Sequence, residues 1–225
     1  MIPVVGVLLL FQNHLSASII IILVTAVMMI LAGTKLRYFL TFGVAGAVGG
    51  IGLLVILAQK VEEWAFRLKR ITSFLNPWED IRGDSWQIVQ SLYAIGSGGL
   101  FGVGLGASKQ KYLYIPEPHN DFIFAIVAEE LGFIGCFIVI LLFGIFVWRG
   151  VLIAIKAPDM FGSLLAGGIT ALIGLQAIIN IAVVTSSIPV TGMALPFFSY
   201  GGTSLIILLC SVGILFNISR QGNKL

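Results

Sequence analysis

Five long apolar runs, at residues 15–33, 36–58, 121–147, 162–184 and 199–218, constrain this chain more than any other feature. Each is close to the ~20 residues that a helix needs to cross roughly 30 Å of hydrocarbon. Hydrocarbon offers the backbone no water, so an apolar run of that length folds as a spanning helix with its amides bonded internally. With 58% hydrophobic and 10% charged residues, the chain is far poorer in charge than the roughly 25% of a soluble domain. The expected fold is therefore an all-α polytopic membrane protein of five full transmembrane helices and a partial one at residues 1–11. That first piece has no basic leader and no small-residue cleavage site, so it reads as the stump of a helix rather than a signal peptide. Cys136 and Cys210 lie singly inside apolar runs, which makes them packing residues and not a disulfide or metal pair.

Basic residues in short connections give the orientation, because Lys and Arg are retained on the cytoplasmic side. Lys35 and Arg37, Arg149 and Lys156, and Arg220 and Lys224 all fall on one side, whereas 11–14 and 185–198 carry neither. The connection from Gln59 to Asn120 is then extracytoplasmic, and the chain divides into 1–58, a loop at 59–120, and 121–225 with three more helices and a cytoplasmic tail. In the loop, Val61, Trp64, Leu68, Ile71 and Leu75 recur at helical spacing, which predicts an interfacial amphipathic helix ended by Asn76-Pro77. A second helix is expected from Asp84 or Ser85 to Gly96, with Trp86, Val89 and Tyr93 on one side. GSGGLFGVGLG follows, at 96–106; it does not match the dinucleotide fingerprint, and it reads either as a flexible loop or as backbone lining a substrate.

The acids carry the chemical signal. A carboxylate near hydrocarbon is expensive, so it faces a polar cavity or a partner. Asp121 stands where YIPEPHN gives way to an apolar run, and two readings compete: Asn120 or Asp121 caps the helix, or Asp121 is a reactive carboxylate. Glu129, eight residues on, would share a helix wall with Asp121, about 12 Å away, while Glu130 points elsewhere. Outside the membrane there is no ATP, so bond formation there needs a substrate with its own leaving group, such as a lipid-linked sugar diphosphate. Asp121 could act as general base on a sugar hydroxyl. Arg67, Lys69, Arg70, Lys109 and Lys111 could neutralise the departing diphosphate, or equally could hold anionic headgroups.

The stretches FRLKRITSFLNPWEDIRGDSWQIVQSLYAIGSGGLFGVGLG, KYLYIPEPHNDFIFAIVAEELGFIG and NIAVVTSSIPVTGMALPFFSYGGTSL resemble the shape, elongation, division and sporulation (SEDS) family, the FtsW/RodA/SpoVE group. IPVTGMALPFFSYGGTSL is more similar to FtsW and SpoVE than to RodA. The resemblance implies ten transmembrane helices, of which this chain would hold the last half and a little more and, lacking the rest, be inactive alone. It also implies a multi-pass protein of the bacterial cytoplasmic membrane that polymerises lipid II into glycan strands on the outer face. The expected partners are a class B penicillin-binding transpeptidase, divisome or sporulation cell-wall proteins and membrane lipids, with no nucleic acid.

The family's essential aspartate maps to Asp121, which would deprotonate the acceptor hydroxyl in a single inverting displacement of undecaprenyl diphosphate. Arg67, Arg70, Lys109, Lys111, His119, Glu129, Ser199 and Tyr200 are the expected substrate-binding residues. A divalent cation, Mg or Mn, is a candidate aid to diphosphate departure, although His119, Asp121 and Glu117 make no dedicated ligand cluster. SerTyrGlyGly at 199–202 either borders the same cavity or serves as a turn and cap. In FQNHLSAS, His14 replaces the acid that relatives often carry, which removes any role for an acid there. Two other function classes remain: a flippase whose polar path is lined by Glu129, Glu130 and Asn180, and a non-catalytic scaffold.

Overall fold

The computed structural model describes residues 15–35, 37, 74, 76–79, 81, 83, 85–110 and 119–222. Its regular elements are five helices: α1 (Leu15–Leu31), α2 (Trp86–Gly98), α3 (Ile123–Ile155), α4 (Met160–Val184) and α5 (Gly202–Gly222). Among the described residues α3, α4 and α5 are long and apolar enough to cross a membrane, and α1 is a shorter apolar helix. The expected span at 36–58 and the amphipathic helix at 61–75 lie outside the described residues. What is described is an all-helical membrane protein.

Lipid tails are as apolar as leucine, so spanning helices associate through close packing rather than hydrophobic transfer. Small residues supply that closeness. A methyl added at Gly150 of α3 would strike the Thr170 side chain of α4, and one at Gly167 would strike Leu31 of α1. Further along, Gly174 faces Val147, so α3 and α4 run antiparallel in register. Helix α4, with Ala166, Ile173, Ala177 and Val184 buried, is the central element. It begins at Asp159, whose carboxylate accepts the Gly162 amide at 3.3 Å. Outward-facing Phe133, Phe137, Leu142 and Trp148 of α3, and Ile206 and Phe216 of α5, are exposed as lipid or further helices require.

Three expectations need correction. Helix α2 forms where expected, with Ser85 as its N-cap, and runs two residues past Gly96 to Gly98, but its supposed common face splits: Val89 is fully buried while Tyr93 is half-exposed and packs edge-on against Trp78 at 5.9 Å. The buried residues are Ile88, Val89, Gln90, Ser91, Ala94 and Gly98, and the small ones let α2 fit closely against α3. Cys210 is exposed on α5 and does not pack inside the chain; Cys136 is half-buried against the main core.

The third correction bears on function. The apolar run that begins at Asp121 is not one straight helix, because Gly132 interrupts α3 with φ 66° and ψ −164°. A straight helix would separate residue 120 from Phe143 by about 34 Å. Yet Ser199 bonds the Asn120 carbonyl while its neighbour Phe198 packs on Phe143, ring centres 6.2 Å apart. The arm Ile123–Leu131 therefore turns back along the rest of α3, and Phe122 and Phe124 join Val139, Phe143, Ile173 and Leu195 in one core.

Candidate active site

A break in a membrane helix strands backbone groups that must find partners within the protein. The glycine-rich segment after α2 provides them. The Phe133 and Ile134 amides donate to the carbonyls of Gly99 (2.9 Å) and Leu100 (3.2 Å), and the Glu129 and Glu130 carbonyls accept from the amides of Val103 (2.9 Å) and Gly104 (3.1 Å). Side chains would prevent this approach: a methyl at Gly102 would strike the Glu130 carbonyl, and one at Gly132 the Gly102 nitrogen. GSGGLFGVGLG is thus not a free loop; it is the backbone partner of a broken helix.

Both glutamates serve the same junction. Glu129 is 3% exposed, and its carboxylate accepts from the Ser108 hydroxyl, the Lys109 amide (2.9 Å) and the Gln110 amide (3.3 Å). Glu130 accepts the Ser108 amide at 3.3 Å. Burial of an ionised group is tolerable when donors surround it. Glu129 therefore holds residues 108–110 in place and leaves the Lys109 side chain exposed at the surface.

Asp121 lies outside any helix. The N-cap position of α3 is Phe122, with no side-chain cap bond, so neither Asn120 nor Asp121 occupies it. The helical angle between Asp121 and Glu129 consequently does not apply. What fixes Asp121 is a row of three carbonyls. His119 O accepts the Tyr200 amide (2.9 Å), Asn120 O accepts the Ser199 hydroxyl (2.6 Å), and Asp121 O accepts Asn180 Nδ2 (2.8 Å). The same Asn180 amide group also donates to Met193 O, which ties α4 to the connection 185–201. Ser199 in turn accepts the Leu195 amide at 2.7 Å, and this engagement keeps 199–201 out of α5.

The Asp121 carboxylate rests against Gly192, where an added methyl would stand 3.4 Å from Oδ2. That connection is strained: Ser186 and Phe197 hold φ of 53° and 67°, a conformation that costs a non-glycine residue about 1–2 kcal/mol. Asn180 stands four residues before the end of α4, so Asp121 is recessed by about 6 Å from that end. Around it His119 and Tyr200 are exposed, Tyr200 by 84%, while Ser199 is partly buried with its hydroxyl engaged in the backbone row.

Arg67, Arg70 and Lys111, together with Lys69 and Glu117, lie outside the described residues. No group of three or more His, Cys, Asp or Glu comes together among the described residues. Sequence reasoning missed Gly132, Gly192 and Ser108, and gave Asn180 a different role. Asn180, one of two amides in its apolar run and the fully buried one, carried the one usable signal.

Together these features define a polytopic helical membrane protein with a partly exposed carboxylate set into one end of the bundle. The model of the cell cycle protein family FtsW/RodA/SpoVE matches residues 1–224, and the chain belongs to that family. It is 51% identical over 209 residues to stage V sporulation protein E of Bacillus subtilis (strain 168), covering 93% of this chain and 55% of that protein. To the probable peptidoglycan glycosyltransferase FtsW of Geobacter sp. (strain M18) it is 48% identical, covering 95% and 56%. The chain spans about half the length of the curated relatives it matches.

Among solved structures, a peptidoglycan synthase complex described for its structural coordination of polymerization and crosslinking matches with a TM-score of 0.70 at 27% identity, over 98% of this chain and 59% of that one. The rod shape determining protein RodA of Thermus thermophilus matches with a TM-score of 0.59 at 28% identity, over 96% and 52%.

Proposed function

We propose that this chain carries the catalytic carboxylate of a peptidoglycan glycosyltransferase that polymerises lipid II during division or spore wall synthesis. The observation that supports this most is the row of bonds from Tyr200, Ser199 and Asn180 to the carbonyls of residues 119–121. They hold the backbone under Asp121 rigid, and a general base must reach its proton within about 2.6–3.2 Å. Asp121 takes the proton from the acceptor sugar's 4-hydroxyl as that oxygen bonds to the donor's anomeric carbon. The bond to undecaprenyl diphosphate breaks with its electron pair, so one displacement inverts the centre without a covalent sugar intermediate.

Lys109, fixed at its amide by Glu129, carries a cation for the departing diphosphate, a role shared with Arg67, Arg70 and Lys111 of the same connection. His119 and Tyr200 flank the acid as sugar contacts, and Ser199 and Glu129 act through the backbone. Magnesium or manganese would act at the diphosphate's own oxygens, a contribution that chelation measures.

In this reading the Asp121 end faces outward from the cytoplasmic membrane and the Arg149, Lys156 and Arg220 end faces the cytoplasm. This chain supplies five complete spans and a partial one, and a class B penicillin-binding transpeptidase crosslinks the product within divisome or sporulation assemblies. The test joins this chain to the preceding half of the Bacillus subtilis relative, in vesicles with lipid II. Glycan polymer should form, and Asp121→Asn should abolish it with folding and transpeptidase binding intact. Polymer from the variant refutes the base. Lipid scrambling without polymer points to a flippase, and neither activity to a scaffold.

A further inference from the structure

The end of the bundle opposite Asp121 holds a cleft between α3 and α5, lined by Arg149, Leu152, Ile153, Lys156, Ser219 and Gly222. Its volume of about 70 Å³ is several times the ~10–15 Å³ that one water needs, enough for a phosphate group. Arg149 and Lys156, seven residues apart, project from one side of α3. Gly222 closes the far wall, since any side chain there would strike the Lys156 carbonyl. Among the described residues neither cation has an ion-pair partner, and the nearby carboxylate of Asp159 is engaged on the Gly162 amide.

Helix-dipole neutralisation accounts for part of this charge, because Arg220 lies in the last turn of α5 and Lys156 caps α3. It does not account for Arg149, nearly two turns inside the helix, where the dipole no longer acts. Beside the cleft the surface turns apolar: Trp148 is 61%, Ile155 73% and Phe216 65% exposed. A free anion gains nothing from such a border, whereas a phospholipid places acyl chains along it and its phosphate between the cations. We propose that this cleft is a binding site for the headgroup of an anionic phospholipid, with Arg149 and Lys156 as its phosphate ligands.

The test incorporates the 225-residue chain into nanodiscs of equal phosphatidylglycerol and phosphatidylcholine and identifies retained lipid by native mass spectrometry. Two cations, each contributing about a factor of five, predict roughly 25-fold enrichment of phosphatidylglycerol. The double variant R149Q/K156Q should abolish the enrichment, and R149K/K156R should restore most of it, which separates lost charge from misfolding. Arg220→Gln, outside the cleft lining, should retain it. Equal retention of both lipids by the native chain, or undiminished enrichment in R149Q/K156Q, overturns the proposal. Displacement of the lipid by millimolar inorganic phosphate would overturn it in favour of a free-anion site.

Discussion

Replacing Glu129 by glutamine keeps its size and removes its charge, which isolates what the carboxylate does for the loop it holds. Three donors converge on it: the Ser108 hydroxyl and the amides of Lys109 and Gln110. Hydrogen bonds to a charged acceptor contribute about 1.5–3 kcal/mol each against roughly 0.5–1.5 for neutral ones. Glutamine retains one oxygen and turns an NH₂ toward a donor, so at least one bond is lost and the others weaken. Relief of burying a charge offsets part of this, since the side chain is only 3% exposed. A net cost of about 2–3 kcal/mol to the closed loop should speed amide exchange at Lys109 and Gln110 by roughly 30- to 150-fold.

Hydrogen exchange on the chain in nanodiscs reads both amides directly. Val103 and Gly104, which bond to backbone carbonyls of α3, should keep their protection. Unchanged exchange at 109 and 110 would refute the holding role, and so would an equal loss across residues 98–134.

Three other substitutions probe the same architecture. Asn180→Leu orphans the carbonyls of Asp121 and Met193 but also removes an unpartnered buried Oδ1; the net cost of about 1–3 kcal/mol should lower the thermal midpoint by about 2–12 °C, and no shift would sink the assignment. Gly132→Ala forces a methyl onto the Gly102 nitrogen at φ 66°, so limited proteolysis should cut within 99–106 far faster than in the parent, and equal cleavage would show that the loop does not depend on this junction. Gly192→Ala strains φ 64° and sets a methyl 3.4 Å from Asp121 Oδ2; polymerisation by the chain joined to its relative's first half should fall about tenfold with a midpoint shift of only a few degrees, and full activity would remove Gly192 from the site.

What the sequence could disclose follows from what its signals measure. Hydropathy reports the cost of transfer to lipid, so the runs that became α3, α4 and α5 were visible, as were the basic residues gathered at one end of the bundle. Hydropathy has no direction. Residues 121–147 score as one span whether the chain runs straight or turns back at Gly132, and the turn places Asp121 level with Asn180. A glycine such as Gly132 looks like any other until the backbone that approaches it is known, and that backbone comes from residues 99–104, some thirty positions earlier. The acids show the same gap. Asp121 and Glu129 are equally acidic letters beside greasy ones, and only their places in the fold tell them apart. The Glu129 carboxylate is enclosed by donors from 108–110, and the Asp121 backbone carbonyl is held by Asn180 with its carboxylate set against Gly192. Substitution at Glu129 should therefore be felt first in the loop, and, under the proposed function, substitution at Asp121 in the chemistry.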